Sequence, residues 1–99
     1  MEKVNGRLTV RQRMIALLED EECDVRDISK ALHISEKEVG DHLDHIRRSL
    51  SASRKSLEIT PAECLACGFV FKDRRRFSRP GRCPRCRETR ISMPRFYIC

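Results

Sequence analysis

Apolar residues recur along the first fifty positions at the spacing of helix faces. Val10, Met14, Ile15, Leu17 and Leu18 share one face, and Thr9 with Gln12 three residues on forms a capping box before them. The pattern predicts a helix over about 9–19. It ends in the acidic run 19–22, which reads as a turn because carboxylates are unfavourable at a helix C-terminus. Asp24, with Asp27 at the third helical position, caps a second, short helix over 25–32 whose stripe is Ile28, Ala31 and Leu32. After the turn 32–35, Ser35 and Glu38 form another capping box. Val39, Leu43, Ile46 and Leu50 then mark a third helix over 36–50.

Two helices joined by so short a turn, with a third across them, is the helix-turn-helix arrangement, here carried by residues 28–43. Ser29 is small where the helices approach. Ile34 and Val39 fill the junction. His33 stands at the turn position usually held by glycine, and histidine is among the residues that tolerate positive φ. The outward positions of the third helix are Ser35, Glu36, Lys37, Gly40, Asp41 and Asp44. Three of these six are acidic, a poor face for reading DNA. His42 and His45, three apart, read as surface or half-buried residues rather than ligands.

Residues 49–56 are serine-rich and read as a turn or linker. At 57–60 the period changes to two (Leu57, Ile59), the mark of a strand, which Pro61 ends. No partner follows at hairpin distance. The next alternating segment is at 95–98, with Phe96 and Ile98 on one face. Pairing the two would bury four apolar side chains against the helices as a two-stranded wing, with everything between projecting from its tip. Three segments follow: residues 1–60 as a helix-turn-helix unit with a wing strand, 61–92 as a cysteine module, and 93–99 as the returning strand.

The cysteine module changes the picture. Cys64, Cys67, Cys83 and Cys86 follow C-x2-C-x15-C-x2-C, the spacing of a zinc site. Two intervening residues let the backbone curl so that both sulfurs face one point. Gly68 frees the exit of the first knuckle and Pro84 stiffens the second. A closed set of four thiolates leaves no position for water, so one structural ion is expected, zinc before iron, and metal-hydroxide catalysis is not. Residues 69–71 and 90–92 look like short strands around this centre. Cys23 reads as a small buried apolar residue and Cys99 as a free thiol.

Charge adds the next constraint. The 99 residues carry a net charge of +6. Residues 1–63 hold 11 Lys and Arg against 13 Asp and Glu, whereas residues 64–99 hold 10 against 2. All the positive excess, +8 against −2, therefore lies in the cysteine-rich third, and four thiolates with a divalent ion leave it at +6. Lys72, Arg74, Arg75, Arg76, Arg79 and Arg82 stand between the knuckles, free to reach phosphates, with Lys37 the lone basic candidate on the third helix. No phosphate-binding glycine loop or nucleophile–base pair is present, and no enzyme or small-molecule substrate is expected. The N-terminus lacks the apolar stretch of a secretory signal and no run approaches a membrane span, so a cytoplasmic, membrane-free protein is expected.

The stretches 64–72 (CLACGFVFK), 83–86 (CPRC) and 94–96 (PRF) carry a resemblance over nearly the whole chain. It resembles a prokaryotic family of predicted transcriptional regulators in which a winged helix-turn-helix domain is fused to a rubredoxin-like zinc ribbon. The resemblance implies an α+β fold, three helices plus a small antiparallel sheet, with the ribbon inserted at the wing. It implies a DNA-binding regulator with double-stranded DNA as partner. Two other functions are compatible with the residues: a protein-interaction adaptor whose helical domain and ribbon dock on acidic protein surfaces, of a partner or of its own homodimer, which the acidic helix supports, and a rubredoxin-like iron electron carrier, which the basic ribbon disfavours.

Overall fold

The computed structural model describes residues 8–72 and 77–99. Helix α1 spans Val10–Asp20, α2 Val25–Leu32 and α3 Glu36–Leu50. Strands β1 (Leu57–Thr60) and β2 (Arg95–Ile98) follow. Each helix begins with a complete capping box, Thr9 with Gln12, Asp24 with Asp27 and Ser35 with Glu38, so two otherwise orphaned N–H groups are satisfied at each start. His33 closes α2 in the left-handed conformation (φ 59°), and its backbone N–H donates to the Ser29 carbonyl. The Ser29 hydroxyl donates across the turn to the Ile34 carbonyl.

The core is Met14, Leu18, Ile28, Leu32, Val39, Leu43 and Ile46 from the helices, closed by Phe96 and Ile98 of β2. β1 and β2 pair antiparallel, with Leu57 opposite Ile98 and Ile59 opposite Phe96. The apolar side of this two-stranded sheet lies on the helices, as the period-two pattern predicts. Backbone hydrogen bonds between Ser56 and Cys99 continue the ladder by one position.

The acidic run does more than turn the chain. Cys23, buried, pairs with Phe96 through two backbone hydrogen bonds of 2.9 and 2.7 Å. The free edge of β2 is thereby covered, and the order across it is Cys23, β2, β1. Glu22 accepts from the Thr60 hydroxyl (2.5 Å) and Arg95 Nε (3.2 Å), while Arg95 also donates to the Glu22 carbonyl. Lys55 is ion-paired with Glu19. The segment between α1 and α2 thus ties both strands to the helices.

Between β1 and β2 runs the cysteine module, held as a ribbon of single bridges. Residues 62–65 form its middle, with Glu63 bridged to Val70 on one side and Cys64 to Ile91 on the other. Two expectations change here. Residues 69–71 and 90–92 are isolated bridges rather than strands, because the knuckles on either side leave room for only one ladder step each. The ribbon also does not simply project from the β1–β2 pair. Phe77, between its knuckles, is only 9% exposed and belongs to the helical core. Its ring meets Phe96 edge to face at 5.4 Å, and the Arg47 guanidinium of α3 lies 5.1 Å from its centroid. Among the described residues no helix is long and apolar enough to cross a membrane.

Candidate metal centre

The two knuckles are built alike. In the first, the Cys64 N–H donates to the Phe69 carbonyl and the Gly68 N–H to the Cys64 carbonyl. In the second, the Cys83 N–H donates to the Glu88 carbonyl and the Arg87 N–H to the Cys83 carbonyl. Both turns pass through a positive φ four residues after their first cysteine, 81° at Gly68 and 66° at Arg87. Glycine adopts this at no steric cost, whereas arginine does not.

These turns place four sulfurs around one point. The Cys64 and Cys86 Sγ atoms are 3.5 Å apart and those of Cys67 and Cys83 3.7 Å apart. All four lie within 4.8 Å of one another. Zinc–sulfur bonds of about 2.3 Å require tetrahedron edges of about 3.8 Å, so the cluster is already the size of a zinc-thiolate site. Cys64 and Cys83 are buried, and Cys67 and Cys86 half-buried.

The surrounding groups favour thiolate. The Cys83 sulfur accepts from the backbone N–H groups of Arg85 (3.3 Å) and Cys86 (3.5 Å). The Phe69 N–H, foremost among several donors and against burial, brings the Cys67 pKa down to about 6. At Cys86 the Glu88 N–H favours the thiolate, but burial and the other three sulfurs prevail and push the pKa up to about 12. Four thiolates this close repel one another, and a divalent cation at their centre removes the conflict. When bound, the ion supplies a cross-link in closed coordination and no catalytic position.

Arg85 supports the cluster from outside. Its guanidinium donates to the Cys67 carbonyl at 2.8 Å and lies 5.8 Å from the Phe69 ring centroid, which packs edge to face on Phe71. One side chain of the second knuckle therefore clasps the first. Its place beside Cys86 marks Arg85 as a charge that offsets the thiolates, but not as a clasp between the knuckles.

A scan of family models matches residues 9–57 to "PF0610-like, N-terminal" and residues 61–99 to "PF0610 rubredoxin-like zinc beta-ribbon domain". The solution NMR structure of protein PF0610 from Pyrococcus furiosus is 30% identical, covers 91% of this chain and 88% of its own, and superposes with a TM-score of 0.76. This chain belongs to the PF0610-like family. No curated protein matches it. Membership and sulfur geometry agree: the ribbon is a rubredoxin-like zinc ribbon whose four cysteines are positioned to hold one metal ion.

The remaining site residues are dispersed. Lys72, Arg79 and Arg82 are exposed on the ribbon, as are Arg87 and Arg90 near the second knuckle. Arg74, Arg75 and Arg76 fall outside the described residues. Lys37 is exposed on α3, at the border of an open cleft between that helix and the ribbon. His42 is not a ligand candidate, since its Nδ1 accepts from Arg11 Nε at 3.1 Å. Asp44 is ion-paired with Arg47 and Arg48, which removes one of the three acids expected to repel phosphate.

Proposed function

We propose that this chain is a DNA-binding transcriptional regulator of the winged helix-turn-helix type, and that its affinity for duplex DNA comes mainly from the basic ribbon. The winged reading is supported by the succession α1, the bridging residue Cys23, α2, α3 and the β1–β2 pair, with Cys23 on the far edge of β2. The observation that carries the ribbon reading is the segregation of charge, +8 on residues 64–99 against −2 on the rest. Lys72, Arg79, Arg82, Arg87 and Arg90 are all exposed there. The outward face of α3 bears Glu36 and Asp41 and is flanked by Phe77 and Ser78. A phosphate backbone is drawn to the first surface and repelled by the second.

Contacts of this kind release counterions, so affinity falls with salt by a slope of about −0.9 per phosphate contact. The test is a filter-binding or anisotropy titration on random duplex DNA at two salt concentrations. Replacing Arg74, Arg75 and Arg76 together with Ala is expected to weaken binding strongly and flatten the slope, with Lys37→Ala having much less effect. If the triple variant binds unchanged while Lys37→Ala abolishes sequence preference, the major-groove mode of α3 is right instead.

A further inference from the structure

The N-terminal half of α3 and the ribbon border an open, shallow cleft of about 400 Å³ that neither the metal centre nor a phosphate-binding ribbon uses. Glu36, Lys37, Gly40, Asp41, Asp44 and Arg47 form the helix wall, and Phe77 and Ser78 the ribbon wall. Its size lies within the range of about 300–1,000 Å³ typical of binding sites. The charges inside it are not equally available. Arg47 is committed to Asp44 and to the Phe77 ring. Glu36, Lys37 and Asp41 are exposed and have no hydrogen-bond or ion-pair partner among the described residues, which leaves the two carboxylates in excess of the one ammonium.

Gly40 is the second observation. It sits at the fifth position of a fifteen-residue helix, where glycine costs stability relative to alanine. Its φ is not left-handed, so no turn requires it, and no described residue lies within 4 Å of where a Cβ would stand. Among the described residues neither the backbone nor crowding explains the missing side chain. Its absence leaves bare helix backbone in the cleft, one turn from Glu36 and beside Asp41.

We propose that this cleft is a docking site for a basic segment of a partner protein, with an arginine or lysine side chain crossing Gly40 between Glu36 and Asp41 and an apolar neighbour against the Phe77 side. The free carboxylates select a cation and exclude nucleic acid. The bare backbone at Gly40 admits a chain at van der Waals distance. The small exposed edge of Phe77, most of whose ring is buried in the core, adds an apolar contact that a protein segment can use and a simple polycation cannot. This site is independent of the ribbon's phosphate contacts, so the chain has one surface for DNA and another for protein.

The test uses the full, zinc-loaded chain and two fluorescein-labelled peptides of about twelve residues. One alternates arginine and leucine with serine; the other has each arginine replaced by glutamine. Anisotropy should show binding of the arginine peptide alone, and amide shifts on titration should centre on Glu36, Gly40 and Asp41. Gly40→Leu should weaken the arginine peptide by about tenfold or more, and Glu36→Gln or Asp41→Asn by about tenfold each. Gly40→Leu should retain its zinc and melt no lower than the parent, since leucine is the better helix former. Equal binding of the two peptides, shifts confined to the ribbon, or an indifferent Gly40→Leu variant would each overturn the proposal. Duplex DNA affinity should be unchanged by Gly40→Leu. If it falls together with peptide affinity, α3 is a nucleic-acid face and the assignment to protein is wrong.

Discussion

The helical unit and the ribbon are held together by different means. The helical unit buries a continuous apolar core from three helices and a two-stranded sheet, and each helix brings its own cap. Apart from Phe77, which it lends to the helical core, the ribbon's buried residues among those described are Ala62, Cys64, Pro80, Cys83 and Ile91, and its backbone pairing consists of single bridges. A unit of this size cannot offset its chain entropy with such a core. A metal cross-link supplies what burial does not, with binding energies of about 10–16 kcal/mol for structural zinc. The two halves meet at Phe77, a ribbon residue in the helical core, so the strength of one depends on the order of the other.

The largest expected effect breaks the ribbon half alone. Cys83→Ser removes a buried ligand from a closed site. It should abolish stoichiometric zinc, read by elemental analysis, and collapse the amide dispersion of residues 62–92. The helices should remain folded but melt lower, because Phe77 is no longer delivered to them.

Phe77→Ala breaks the joint and leaves both halves in place. Truncating a buried aromatic costs about 3–5 kcal/mol, and the residual exposure of Phe77 (9%) places this site at the lower end of that range despite its contacts with Phe96 and Arg47. Denaturant unfolding should show that loss with one zinc still bound. A change below about 0.5 kcal/mol, the scale of ordinary surface substitutions, would mean that the ribbon does not contribute to the helical core.

A smaller effect separates the two knuckles. They share their hydrogen bonds and differ in the residue at positive φ, Gly68 or Arg87. Arg87→Gly should relieve the left-handed strain, about 1 kcal/mol, and slow zinc loss to a chelator. Gly68→Arg should do the reverse.

The smallest effect concerns the latch between the helical unit and the strands. The Thr60 hydroxyl first, then Arg95, hold the Glu22 carboxyl below its ordinary pKa. A group depressed in the folded state stabilises above its unfolded pKa and loses that contribution as pH falls through the folded value. The melting-temperature advantage of the parent over Glu22→Gln should therefore be full at neutral pH and shrink on acidification below about 4.3. A difference independent of pH would show that the carboxylate charge is not what the latch uses.

What was legible in the sequence was what is local. Capping boxes, helical stripes and cysteine spacing each lie within a few residues, and all three caps and the sulfur cluster are where those patterns predict. The β1–β2 pair was legible although about thirty-five residues separate the strands, because each carries its own period of two and neither has a nearer partner. Phe77 was not legible. It is one aromatic in a polar loop, and nothing beside it repeats. The acidic run 19–22 reads as a turn because its partners Lys55, Thr60 and Arg95 are distant in the chain. The Cys23–Phe96 bridge escapes for the same reason, since a single paired residue has no period. Arg87 carried a readable sign: it stands where Gly68 stands in the other knuckle.

Amide exchange before and after complete metal removal tests the division between a metal-held ribbon and a burial-held helical unit most directly. The N–H groups of Cys64, Gly68, Cys83 and Arg87 close the knuckles, those of Ile28 and Val39 lie within the capped helices, and that of Phe96 reports the strand on which Phe77 packs. On chelation the four knuckle amides should exchange as in an unfolded peptide, the helix amides should stay protected, and Phe96 should lose part of its protection. Knuckle amides that remain protected with no metal bound would contradict the division, and so would helix amides that lose all protection with them.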